Sequence, residues 1–371
     1  MRGVYVLLLI SLLGYTGRVS GQESVTITQC YEWARANYPQ IHQMGLIDQT
    51  ERYSLSNVGK AWLPQLSVSG KASYQSDVTK LPLDGDKISS LLPGFEIPSL
   101  SKDQYQVVAQ VDQTIWDGGS ARSARALTRA EATANREQLE SELYALNDRV
   151  NQLYFGCLLQ DELIRQNALL QKELQVNIER IEAMMENGVA NQSDLESMEV
   201  ELLNARQNEI ELKASRTVYR QMLATFINKP LTDQVVLKTP ESPERSLFTQ
   251  INRPELRALD AKSEWIETQN KQVTAGLMPR IGAFVQGGYG RPGLNMLEDS
   301  FEPYYVAGVR LSWNLGKLYT LKNDRRKIEV SRRQIDVQRE TFLFNTRLQL
   351  LRQNTEIKKM TDLMRADDDI I

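Results

Sequence analysis

After Pro64 every second side chain is apolar or small (Leu66, Val68, Gly70, Ala72, Tyr74), and the positions between them are polar (Gln65, Ser67, Ser69, Lys71, Ser73, Gln75). Strand side chains alternate between faces, so this stretch, over residues 65–77, lies between two environments. Three further stretches share the pattern. Over 104–116, Tyr105, Val107, Ala109, Val111 and Ile115 alternate with Gln106, Gln110, Asp112 and Thr114. Over 280–289, Ile281, Ala283, Val285 and Tyr289 alternate with Arg280, Gln286 and glycines, and Phe284 falls out of phase. Over 304–313, Tyr305, Ala307, Val309, Leu311 and Trp313 alternate with Arg310 and Ser312, and Val306 falls out of phase. Strands of about ten residues with aromatic side chains near their ends are the signature of membrane-spanning β-structure.

The period then changes. From Ser120 to Asn187 the chain has no proline, and Leu139, Leu143, Leu146, Val150, Leu153 and Cys157 follow the four-three alternation of a coiled coil. A second stripe runs through Leu195, Met198, Leu202, Ala205, Leu212, Tyr219 and Phe226. Between the two, Gly188 is a natural C-terminal stop and Ser193 or Asp194 a natural N-cap. An antiparallel helical hairpin over 120–228 is expected, with its tip at Asn187 to Asp194.

The strand and helix signals occur twice. "NYPQI" at Asn37 returns as "NRPEL" at Asn252, and "WLPQLSV" around Pro64 returns as "LMPRIGA" around Pro279, so that Pro39 to Pro64 and Pro254 to Pro279 are equal intervals. Each interval reads as a helix opened by a proline and closed by another that releases a strand. "WDGG" at Trp116 and "WNLG" at Trp313 each close a strand and open a long helix. The first hairpin is the longer, and its excess falls in the Pro-, Gly- and Ser-rich stretch Lys80 to Asp103. The expected organisation is a leader at 1–21, a first repeat at 22–235, a linker at 236–250 and a second repeat at 251–371.

Composition sets the compartment. Arg2 followed by a short apolar run and small residues near Gly21 reads as a secretory signal. The chain carries a net charge of −3, made more negative by removal of Arg2 and Arg18, and lacks the basic excess of a nucleic-acid binder. No downstream apolar stretch reaches the roughly 20 residues of a spanning helix, so any membrane entry is by strands. Cys30 and Cys157 have no metal-ligand spacing, no disulfide framework is expected, and Cys157 reads as a small core residue. The single histidine, His42, and the glycine-rich stretch "GGYGRPG" carry no catalytic or phosphate-binding pattern. No enzyme activity, cofactor or metal is expected.

Four strands leave two unpaired edges, which cost several kcal/mol per unsatisfied group in hydrocarbon. Three copies would supply twelve strands, enough to close a water-holding barrel. The expected fold is an α+β membrane protein: a duplicated helix-strand-strand-helix unit, four membrane β-strands per subunit in a shared trimeric 12-stranded barrel, and a long α-helical coiled-coil tunnel. Leu66, Val68, Ala72, Tyr74, Val107, Val111, Ile281, Val285, Val309 and Leu311 would then face lipid. Ser67, Ser69, Lys71, Ser73, Gln110, Asp112, Arg280, Gln286 and Arg310 would face the pore, with no ring of a single sign to set selectivity.

The doubled "N-x-P" helix, the "LPQLSV" and "MPRIGA" strand starts, "WDGG", "WNLG" and the tip "ENGVANQSDL" together resemble the TolC-like outer-membrane efflux proteins. The resemblance covers essentially the whole mature chain. It implies a homotrimeric exit channel in the Gram-negative outer membrane, with helices extending into the periplasm. Such a channel conducts small molecules or proteins passively, in a tripartite efflux or type I secretion system. Its partners would be a periplasmic adaptor (membrane fusion protein) and an inner-membrane RND, ABC or MFS-type transporter. The family's tip pattern, a glycine followed six residues later by Asp and an aliphatic residue, assigns Gly188 and Val189 to adaptor docking, Asp194 to capping the return helix, and Leu195 to the same tip. One departure stands beside it: "KKMTDLMRADDDII" ends at Ile371 within an outgoing helix, so the return helix of the second repeat is expected to be missing. The alternatives are a non-conducting envelope coiled coil, adaptor-like or structural, and a truncated, non-functional fragment of the channel.

Overall fold

The structure, a computed structural model, describes residues 24–78, 100–241, 251–295 and 298–370. The leader at 1–21 and most of the loop from Lys80 to Asp103 lie outside the described residues. In chain order the elements are β1 (Ser24–Val25), α1 (Ile27–Asn37), a 3-10 turn (Pro39–His42), α2 (Gln43–Lys60), β2 (Gln65–Tyr74) and β3 (Asp103–Trp116). There follow α3 (Ser120–Tyr144), α4 (Leu146–Glu186), α5 (Gln192–Ile227), β4 (Val236–Leu237), α6 (Pro254–Ala275), β5 (Arg280–Arg291), β6 (Glu302–Ser312) and α7 (Lys317–Ile370). They form two compact units, Met1–Met44 with Leu139–Ile251 and Gly45–Gln138 with Asn252–Ile371. The division cuts across the sequence repeats.

The first unit is helical. α1 opens with a capping box, in which Thr26 Oγ1 accepts from the Gln29 N–H and Gln29 Oε1 accepts from the Thr26 N–H. Its last residue, Asn37, stands two before Pro39, whose ring cannot continue an α-helix. α4 and α5 lie side by side, and the apolar stripe of α4 (Leu146, Val150, Leu153, Cys157) is buried. Val150, Leu153 and Cys157 make one core with Cys30, Ala34, Leu223 and Ile227, closed by the short parallel pair β1 and β4, where Val25 stands opposite Leu237. Tyr154 is fully buried there, its hydroxyl 2.6 Å from the Lys238 carbonyl and 2.8 Å from that of Val25. Arg220 is also buried, and its Nη2 donates to the Thr232 and Val235 carbonyls, which fastens the chain after α5 to the helix. Burial pushes the Cys30 and Cys157 thiols up to about 11 and the Tyr154 phenol to about 12, because each charged form would lose its water.

The second unit is built around one antiparallel sheet in the order β2-β3-β5-β6. The two hairpins of the duplicated sequence lie side by side, joined where β3 meets β5. β2 and β6 are the outer strands among the described residues. Pro64 and Pro279 each precede the first residue of a strand, where the missing N–H costs no ladder bond. After Trp116 the chain turns through Gly118 and Gly119, both with positive φ (67° and 83°). A Cβ at Gly118 would overlap Met278, so glycine is required there for close approach as well as for conformation. α6 packs on α7 through Ile266, Ile328 and Ile335. α7 runs for 54 residues, about 80 Å at 1.5 Å per residue.

Candidate functional site: an amphipathic sheet and a helical tip

Residues directly opposite in an antiparallel ladder point to the same face, so the register sorts every strand residue. Leu66, Val111, Val285 and Ala307 stand in one row, Val68, Ala109, Gly287 and Tyr305 in another, and Ala283 with Val309 in a third. Ala72, Tyr74, Val107, Ile281 and Leu311 join them by the same pairing. This face is apolar and lies open, Val68 being 69% and Tyr305 80% exposed. A monomeric soluble domain rarely leaves so large an apolar surface in water.

The other face carries Ser67 with Gln110 and Gln286, Lys71 with Gln106, and Asp112 with Phe284. Ser69, Ser73, Arg280 and Arg310 share it. Phe284 and Val306, out of phase in the sequence, lie on this polar face together with Val108, and Gln113 stands in the apolar row of Ala283 and Val309. Phe284 has a use there: the Arg310 guanidinium stacks 4.9 Å from its ring centre, and Arg310 reaches Asp112 at 3.8 Å. Gly308 leaves room for the ring, since a Cβ there would stand 3.1 Å from Phe284 Cε1. Gln110 Nε2 donates to Asp112 at 2.7 Å, and Arg280 Nη2 donates to Ser120 Oγ at 3.3 Å. Asp112, Ser120, Arg280, Phe284 and Arg310 line a cavity of about 430 Å³ at the end of the sheet where α2 and α3 join it. Higher on the same face Tyr304 lies across Gly288 to accept from Gln106 Nε2.

Aromatic side chains mark both ends of the apolar face. Trp116 is near one end; Tyr105 and Tyr289 near the other both stack on Phe301, at 6.4 and 5.7 Å. From Tyr105 to Trp116 β3 rises about 36 Å along its own axis at about 3.3 Å per residue. A tilt of about 45° reduces that to about 25 Å, the height of the apolar band of an outer-membrane barrel.

The helical tip is a separate site. α4 ends in a Schellman motif: the Gly188 N–H donates to Met185 O and the Val189 N–H to Met184 O, each at 2.9 Å. Gly188 takes φ +68°, which a side chain would strain, although the space around it is open. Val189 is 70% exposed and Leu195 half-buried. The N-cap of α5 is Asn191, not Ser193 or Asp194. Asp194 is the third helical residue, and its carboxylate accepts from the Asn191 N–H while Asn191 Oδ1 accepts from the Asp194 N–H. Sequence reading misplaced the cap because Asn191, Ser193 and Asp194 can all cap, and only backbone geometry chooses among them.

Among the described residues no helix is long and apolar enough to cross a membrane, and no three His, Cys, Asp or Glu side chains gather into a metal site. A sheet with one open apolar face, continued by long charged helices, defines a membrane β-protein with a helical extension. Residues 30–229 match the outer membrane efflux protein family, and the chain belongs to that family. Membership places it in the Gram-negative outer membrane, with its helices extending into the periplasm. The outer-membrane channel OprN is 17% identical over 86% of this chain and 71% of its own, with a TM-score of 0.55. CusC, described by its transmembrane channel formation, is 13% identical over 83% and 71%, with a TM-score of 0.55. The outer membrane protein VceC from Vibrio cholerae is 14% identical over 84% and 75%, with a TM-score of 0.51. At these identities the likeness is one of fold. A comparison with curated protein sequences returned no match.

Proposed function

We propose that three copies of this chain close their sheets into one barrel and that the assembly is the exit channel of an efflux or type I secretion system. The observation that carries this reading is the sheet itself, with an apolar face open over about the height of a bilayer core and outer strands β2 and β6 awaiting partners. In this reading the apolar rows face lipid, and the Asp112, Arg280 and Arg310 face lines a water-filled pore. Conduction is passive and needs no catalytic step. The tip at Gly188, Val189, Asp194 and Leu195 docks a periplasmic adaptor, which joins the channel to an inner-membrane transporter. Residues 1–21 are removed on export, and 22–235 and 251–371, joined by 236–250, supply two strands each.

Single-channel recording in a planar bilayer tests the reading directly. Discrete conductance steps from a heat-modifiable, detergent-stable trimer are expected. A chain that stays soluble without detergent and produces no steps would refute it.

A further inference from the structure

Beside the pore-side cavity the sheet unit holds a second and larger one, of about 950 Å³, between α3 and α6. Its lining includes Arg122, Arg125, Arg129, Lys271, Trp62 and Met278. Among the described residues none of these four cations has an ion pair. The one acid in the lining, Asp117, is already engaged: its carboxylate accepts from the Gly119 and Ala121 N–H groups at 2.9 and 2.6 Å and so caps α3. In a chain of net negative charge, a cavity with four unpaired cations and an apolar wall calls for an anionic ligand with an apolar portion.

Its position narrows the ligand further. Ser120 and Ala124 line only the cavity that opens on the polar face of the sheet, while Ala121, with Trp62 and Asp117, lines both. At about 100° per residue, Arg122, Arg125 and Arg129 project roughly 150° round α3 from Ser120 and Ala124. The basic groove therefore opens away from the polar face, on the side of Trp116 and the apolar rows. Arg122 and Arg125 lie within about 8 Å of the start of α3, comparable to the headgroup layer of about 5–8 Å on each side of a bilayer core. Helix side chains lean toward the N-terminus, which for α3 is the sheet end, so Arg129 leans back toward the same level. We propose that this groove binds the phosphodiester headgroup of an anionic phospholipid in the leaflet adjoining the helices, with the acyl chains laid along the apolar face beyond Trp116. The proposal rests on the membrane-barrel reading above.

The test uses the full chain in mixed micelles containing phosphatidylglycerol or phosphatidylcholine, with retained lipid counted by native mass spectrometry. Phosphatidylglycerol should be retained in clear preference. Arg122→Gln and Arg125→Gln should each reduce that preference roughly five-fold, the factor expected of one basic residue at an anionic surface. Arg180→Gln and Arg206→Gln, on the helical hairpin, should leave it unchanged. Equal retention of the two lipids, or a preference that survives both groove substitutions, overturns the proposal. Displacement of phosphatidylglycerol by millimolar inorganic phosphate would mark a site for a free anion and would overturn the lipid assignment. Insertion into pure phosphatidylcholine bilayers reports on the barrel separately. A chain that inserts there without a headgroup preference refutes this inference alone, and one that fails to insert refutes both.

Discussion

Asp112 and Arg310 meet at 3.8 Å although their strands are not neighbours: β5 lies between them, and Arg310 crosses it over the ring of Phe284. Both side chains remain partly exposed, so the pair contributes at most about 1 kcal/mol to stability. Its effect should be electrical. Asp112→Asn is expected to shift the channel toward anions and Arg310→Gln toward cations. Reversal potentials in a salt gradient would register both, and each variant should keep its trimer. Identical potentials in the two variants would remove this pair from the conduction path.

Val68 and Ser69 are adjacent on β2 and point to opposite faces. Val68→Arg is expected to cost about 2–4 kcal/mol if it sits near mid-bilayer and to abolish the heat-modifiable trimer in outer-membrane fractions. Ser69→Arg should assemble normally. Equal tolerance would contradict the assignment of faces.

At the tip, Gly188→Ala is expected to cost about 1 kcal/mol, because φ +68° disfavours a Cβ even where space is free. Val189 is 70% exposed, so Val189→Asp should leave the melting midpoint unchanged while reducing co-purification of the periplasmic adaptor. A Val189→Asp protein that retained the adaptor fully would move the docking surface elsewhere.

Much of this architecture was legible in the sequence because it is periodic. The α4 stripe through Val150 and Cys157 is buried, and the alternating residues of all four strands fall on the two faces that their polarity assigns. What escaped depends on pairing across long separations. Phe284 looked like an exception to alternation, since it lies between Asp112 and Arg310, on strands two places apart in the sheet, and no local period reveals that. β1 and β4 are two residues each, too short to show a period, yet they supply the carbonyl beside Tyr154. The basic groove was hidden as well: Arg122, Arg125 and Arg129 meet Lys271 only because α6 stands beside α3.

Tyr154→Phe should lower the stability of the helical unit by about 1–3 kcal/mol, since it removes the hydroxyl donor from the Lys238 carbonyl, whereas the Val25 carbonyl keeps the Lys238 N–H at 3.0 Å. A thermal melt compared with wild type measures the loss, and an unchanged midpoint would show that water replaces the hydroxyl.

Alkali should loosen the same core. The Cys30 and Cys157 thiols are raised from 9.0 to about 11 and the Tyr154 phenol from 10.0 to about 12, chiefly by burial. A raised folded value stabilises the fold fully below the unfolded value, and that contribution is lost as pH climbs through the folded one. Amide exchange at Val25 and Leu237 should therefore be flat with respect to stability up to about pH 8.5 and should accelerate from about pH 9 to 12. Replacing both cysteines by alanine should flatten the lower part of that rise.

The ladder between β3 and β5 sets Tyr105 against Arg291, so the middle of the sheet brings together segments made far apart in time. A lone two-stranded hairpin is marginal in water, and pairings of this separation are slow to form. During export the β2–β3 hairpin must therefore wait, with its greasy side unprotected, until the second hairpin has crossed the inner membrane. Whatever covers that side in the interval must release it to the bilayer that finally receives it.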